Sequence, residues 1–145
     1  MSRNQKDFTF DIATQLKDAG LVAASAAATV GGAAKILNMG AARFDGRVII
    51  DASAIEADTG DELYTILVQG SQSATFASGI VNLGALTLGD TTTTLESADT
   101  PIGRRELHFC NEINGVAFEF VRVFTKVVGT IATGINYTAF LVQEA

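Results

Sequence analysis

Tryptophan is absent from this chain of 145 residues, and proline, cysteine and histidine occur once each, as Pro101, Cys110 and His108. A lone cysteine cannot close an intramolecular disulfide or build a cysteine-based zinc site. That fits a reducing compartment. Cys110 lies in an apolar run and reads as a buried, inert thiol. One histidine rules out a multi-histidine metal site. A Ser-His-Asp or Cys-His arrangement would have to use His108, which falls in an expected strand with Leu107 and Phe109 on the opposite face. No G-x-S-x-G turn accompanies it, so it reads as a surface or edge histidine. With no tryptophan and only Tyr64 and Tyr137, a sugar-stacking platform is poorly supplied.

Positive charge is also scarce. Ten basic residues stand against sixteen acidic ones, for a net charge of −6. Sequence-independent binding of nucleic acid through a basic surface is thereby disfavoured, and Arg104 with Arg105 makes at most a small local patch. No G-K-[ST] motif occurs, and "VGG" at 30–32 lacks the G-x-G-x-x-G spacing, so nucleotide binding has no support. Long apolar runs are missing too. "LVAASAAATVGGAA" (21–34) is too short and too rich in alanine and glycine to cross a bilayer. Asp7, Asp11 and Asp18 precede it, where a secretory signal has a basic, acid-free start. The stretch reads as part of the mature chain.

What is present is β-sequence. Hydrophobic residues make up 48% of the chain and charged ones 18%, enough for one domain with a substantial core. β-branched and aromatic residues gather in short runs: "AKILNM" (34–39), "GRVIIDASAI" (46–55), "ELYTILVQG" (62–70), "IVNLGALTL" (80–88), "RELHFC" (105–110), "FEFVRVFTKVV" (118–128) and "INYTAFLVQ" (135–143). Polar segments separate them, and "NG" at 114–115 signals a tight hairpin. The expected fold is all-β: a β-sandwich or jelly roll of about seven or eight antiparallel strands. Residues 1–20 are expected to form an N-terminal arm or short helix ("DIATQLKDAG", 11–20), and residues 21–145 the single sandwich domain.

Glu56, Asp58, Asp61 and Glu62 place four carboxylates within seven residues around Gly60. Calcium favours clustered oxygens, but the EF-hand spacing is absent, and the cluster reads as a solvated loop. A pair of carboxylates for glycoside hydrolysis cannot be singled out among the sixteen acids. No catalytic, cofactor or metal residues are therefore assigned.

"FVRVFTKVVGT" (120–130) is the unusual segment. Period-two alternation puts Val121, Val123, Thr125 and Val127 on one face, and Phe120, Arg122, Phe124 and Lys126 on the other. The first face is an ordinary core face. The second mixes rings with cations. It is either pressed against another subunit, or its cations snorkel, with stems on the rings and heads in water.

The runs "ELYTILVQGSQSATFASGIVNLGALTLG" (62–89) and "GRRELHFCNEINGVAFEFVRVFTKVVGTIATGINYTAFLVQ" (103–143) resemble tailed-bacteriophage capsid cement, or decoration, proteins of the jelly-roll type. "AAKILNMGAARFDGRVIIDASAI" (33–55) fits the same layout. The resemblance implies a non-enzymatic protein without cofactor, made in the bacterial host cytoplasm and added to the outer surface of the virion capsid. It implies the major capsid protein as partner and a homo-oligomer, with a dimer favoured and a trimer possible; no specific nucleic acid and no membrane are expected as partners. Phe8, Phe10, Phe120, Arg122, Phe124 and Lys126 are then the expected partner-interface residues, with Arg122 meeting carboxylates on the neighbour. A virion-borne carbohydrate- or receptor-binding β-sandwich is the alternative.

Overall fold

Where alternation runs unbroken in the sequence, the chain forms its long strands. A computed structural model describes residues 12–143. A 3-10 turn at Ile12–Thr14 leads into short strands β1 (Gln15–Lys17), β2 (Leu21–Val22), β3 (Ala26–Ala27), β4 (Thr29–Val30), β5 (Ala33–Ala34) and β6 (Leu37–Asn38). Longer ones follow: β7 (Asp45–Ile55), β8 (Leu63–Ser71), β9 (Val81–Gly89) and, after the one-turn helix α1 (Thr91–Thr94), β10 (Gly103–Cys110). The small hairpin β11 (Glu112–Ile113) and β12 (Val116–Ala117) precedes β13 (Phe120–Val128) and β14 (Ile135–Gln143).

The strands build two antiparallel sheets packed face to face. The first runs β1-β14-β7-β10, with β2 also on β14; the second runs β3-β13-β8-β9, with β6 also on β13. Among the long strands the first, β7, pairs with the last, β14, and the second, β8, with the penultimate, β13. This nested order is the rolled connectivity of a jelly roll. The protein is an all-β sandwich.

Alternate residues of each long strand fill the space between the sheets. Val48, Ile50, Tyr64, Ile66, Val68, Val121, Val123, Ile135, Tyr137 and Ala139 are all fully buried there. Hydrophobic burial of this kind supplies most of the stabilisation. The hydroxyl of Tyr137 meets that of Thr125 across the core, and the hydroxyl of Tyr64 donates to the Glu56 carbonyl at 2.9 Å. Burial raises both phenols, Tyr64 to about 12. The Asn-Gly pair turns β11 into β12, with φ of 51° at Asn114 and 79° at Gly115, as its residue types foretell.

The structure departs from the sequence reading at the N-terminal side. The expected 11–20 helix is confined to the 3-10 turn, and β1 is an edge strand of the first sheet, so the sandwich takes up chain before residue 21. Leu16 is fully buried and Lys17 is only 4% exposed. The Lys17 ammonium donates to the carbonyls of Asp18, Gly20 and Tyr137 at 2.9, 3.1 and 2.9 Å, one acceptor for each of its protons. "AKILNM" is not one strand either. Ala33–Ala34 turns back on Thr29–Val30 through Gly31 and Gly32, both at positive φ, while Leu37–Asn38 pairs with β13. Alanines offer too little side chain to hold a continuous register there. Cys110 is half-buried rather than buried, opposite Asp45 at the end of β10.

Candidate functional site: the outer face of the second sheet

The side chains of β13 divide as their period predicts. Val121 and Val123 are fully buried and Thr125 is 1% exposed on the core side, while Phe120, Arg122 and Phe124 are half-buried on the outer side and Lys126 is exposed. The register across β8 and β9 arranges the outer face into rows. Arg122 lies beside Gln69 and Asn82, Phe124 beside Leu67 and Ala85, and Lys126 beside Thr65 and Thr87. An apolar row is thus bracketed by two polar ones. The structure brings Arg122, Phe124 and Lys126 onto this face together; Phe120 lies at its end, opposite Ser71. Phe8 and Phe10 lie outside the described residues.

Two further residues complete the site, and neither was singled out from sequence. Gln69 accepts a hydrogen bond from Arg122 Nε at 3.0 Å and donates from Nε2 to Asn82 Oδ1 at 3.2 Å. The 72–80 loop then folds back over the face. Its base is held by buried Ser71, whose hydroxyl donates to the Ser78 carbonyl at 2.8 Å and accepts from the Ser73 amide at 3.0 Å. Phe76 sits in the left-handed region, φ 56°, with its amide bonded to the Ser73 carbonyl. That conformation is costly for a residue with a side chain. It delivers the Phe76 ring, only 6% exposed, onto Arg122 at 4.4 Å from the guanidinium carbon. The Phe124 ring lies 5.6 Å from the same carbon.

Arg122 is therefore held between two rings and tied to Gln69. Snorkelling calls for rings against the stem and the head in water; here the head itself stacks on Phe76. Partial burial lowers the guanidinium from its usual value, and it stays charged at any physiological pH. Among the described residues, ion pairs join Arg43, Arg47 and Arg104 to carboxylates, and none involves Arg122. Its charge is oriented but not neutralised.

The acidic cluster behaves differently from the solvated loop expected of it. Glu62 is fully buried and Glu56 is 8% exposed. Burial pushes the Glu62 carboxyl upward, and the amides of Thr59 and its neighbours outweigh that and pull it below its usual range. Those amides, of Asp58, Thr59 and Gly60, lie 2.7, 2.8 and 3.0 Å away. The Glu56 carboxylate accepts the amides of Gly134, Thr133 and Ala132 at 2.7, 2.6 and 3.0 Å, and these pull it down to about 2. Asp61 takes the Thr130 amide and hydroxyl at 2.9 and 2.8 Å. Glu56 and Asp61 tie the 56–62 loop to the 129–134 loop, while Glu62 closes the 56–62 loop on itself. Among the described residues, no three His, Cys, Asp or Glu side chains gather as a metal site. His108 is an exposed strand residue between buried Leu107 and Phe109.

No protein-family model matches the chain and no curated protein matches it. The likeness to capsid cement proteins rests on the strand patterns alone.

Proposed function

We propose that this chain is a structural virion protein that binds the outer surface of a tailed-phage capsid shell and stabilises it. The observation that supports this reading is the Arg122 face: a cation pre-positioned by Phe76, Phe124 and Gln69, with no carboxylate among the described residues paired to it. Arginine and aromatic residues dominate binding energy when they are buried at the centre of an interface. Pre-positioning lowers the entropy lost when such a side chain docks. The proposed partner is the major capsid protein, whose carboxylates would meet Arg122. Phe124 and Leu67 would supply apolar area and Lys126 a charged rim. Phe8 and Phe10 are proposed as a second contact, and the assembled form as a homo-oligomer.

Co-sedimentation of the purified chain with capsids of its own phage tests this. Binding at a fixed ratio to capsid subunits, with a gain in capsid thermal stability, is expected. Arg122→Ala and Phe124→Ala should each weaken binding at least about tenfold, the loss typical of an interface hot spot. Wild-type chain that stays in the supernatant would overturn the proposal, and binding to a glycan array would then favour a receptor-binding role. Unchanged binding by both variants would remove this face from the interface.

A further inference from the structure

We infer that the outer face of the second sheet recognises an extended acidic segment, with carboxylates at the first and fifth positions of a short stretch and an apolar side chain at the third. This rests on the docking role proposed above for the Arg122 face and specifies the kind of segment that docks there.

Charge is divided unequally between the two sheets. Sixteen carboxylates occur in the chain, yet none lies in β3, β6, β8, β9 or β13, the strands of the second sheet. Arg122 and Lys126 are the only charged residues in those strands. The first sheet carries both signs and pairs them, Arg47 with Glu106 and Arg104 with Asp51. Among the described residues, no hydrogen bond or ion pair engages the Lys126 ammonium, and Arg122 uses only its Nε, on Gln69. On a chain of net charge −6, two cations set apart from every carboxylate complement an anion.

The donor pattern narrows that anion to a carboxylate. Gln69 turns its oxygen to Arg122 and its amide nitrogen to Asn82 Oδ1. Nδ2 of exposed Asn82, with Nη1 and Nη2 of Arg122, is thereby left as a donor without a partner among the described residues. A guanidinium fork held by two rings matches the two oxygens of a carboxylate. A nucleic-acid strand would need a continuous basic track, whereas here an apolar row separates the two cations.

Spacing selects the conformation of the segment. Arg122 and Lys126 are four residues apart on one strand, about 13 Å, with Phe124 midway. Leu67 lies beside Phe124 in the register, so the row between the cations is apolar. An extended segment along β13 turns every second side chain onto the face with the same repeat. Its two carboxylates then meet Arg122 and Lys126 while the side chain between them packs on Phe124 and Leu67. Residues four apart on a helix are only about 6 Å apart along its axis and fail to span the two cations.

The test is calorimetric titration of the full chain with a blocked five-residue peptide: glutamate at the first and fifth positions, leucine at the third, threonine between. Saturable binding is expected, weakening as salt is raised. Glutamines in place of both glutamates, or glutamates moved to adjacent positions, should weaken it at least about tenfold. Lys126→Gln, at an exposed position, should weaken it about threefold. Asn82→Asp sets a carboxylate beside Arg122 and should weaken it about tenfold. Both variants should keep the circular dichroism spectrum of the wild type. No saturation in the millimolar range, equal affinity for the three peptides, or indifference of both variants would overturn the inference. Tighter binding of an oligothymidylate of equal charge would overturn it in favour of nucleic acid. Capsid co-sedimentation separates this from the shell reading. A chain that sediments with capsids but ignores the peptide removes the acidic segment alone. One that binds the peptide yet stays in the supernatant removes the shell and leaves an acidic segment of another protein as the partner.

Discussion

Glu56 Oε1 lies 2.7 Å from the amide nitrogen of Gly134, seventy-eight residues further along the chain. One carboxylate thereby fixes the turn that delivers the chain into β14, while Glu62 does the same for the turn that enters β8. In both cases a negative charge inside the protein edge is balanced by backbone dipoles rather than by a cation.

Acid stability follows from this. Glu56 falls from its ordinary 4.5 to about 2 in the folded chain, and Asp61 and Glu62 are also lowered. A carboxyl lowered on folding contributes stability that is complete above its unfolded value and is lost as pH falls through its folded value. Thermal melts should therefore lose midpoint temperature steadily between about pH 4.5 and pH 2. Glu56→Gln should flatten that slope and lower Tm at pH 7 by about 5 °C or more.

Alkali should act through the tyrosines. Tyr64 rises from 10.0 to about 12 and Tyr137 is raised further, both by burial. A phenol raised on folding stabilises the fold fully below its unfolded value, and that contribution is lost as pH climbs through the folded one. Lys17, lowered by burial, works in the opposite sense. Two tyrosines against one lysine predict net destabilisation above pH 10. Tyr64→Phe should reduce it, as read from urea midpoints across pH 9–11.

Phe76→Ala should release the 72–80 loop. Removal of a ring that is 6% exposed is expected to cost about 2–4 kcal/mol in urea unfolding, and limited proteolysis should begin within 72–80. Arg122→Lys keeps the charge but not the planar stack, so it should show a smaller loss in the same direction.

Lys17→Met would leave the carbonyls of Asp18, Gly20 and Tyr137 without their donor. A loss of about 3 kcal/mol is expected in urea unfolding, because unsatisfied buried acceptors cost more than the hydrogen bonds themselves contribute.

Two glycines separate space from backbone conformation. At Gly134, φ +94°, a Cβ would lie 2.0 Å from the Val22 carbonyl oxygen, and Gly134→Ala should cost about 4 kcal/mol or more. At Gly31, φ +63°, a Cβ meets nothing within 4 Å, and Gly31→Ala should cost only about 1–2 kcal/mol. Equal losses in thermal melts would contradict this distinction.

Local chemistry alone determined a great deal here. Alternation placed Val121, Val123 and Thr125 inward and Arg122, Phe124 and Lys126 outward, because side-chain direction in a strand depends only on position. Asn114-Gly115 specified its own turn, because positive φ is a property of those residue types. Tertiary structure decided the rest. No period in "SQSATFASG" says that the loop returns over β13 to set Phe76 on Arg122. That contact depends on where β8 ends and on the hydroxyl of a buried Ser71. Nor could composition distinguish Glu56 and Glu62 from solvated acids. Glu56 is held by amides up to seventy-eight residues away in sequence, brought close by the pairing of β7 with β14, and Glu62 by the amides of Asp58, Thr59 and Gly60 once its own loop has wrapped around it. Short-range geometry is written residue by residue, whereas the partners of a buried charge such as Glu56 exist only once the sheets have closed.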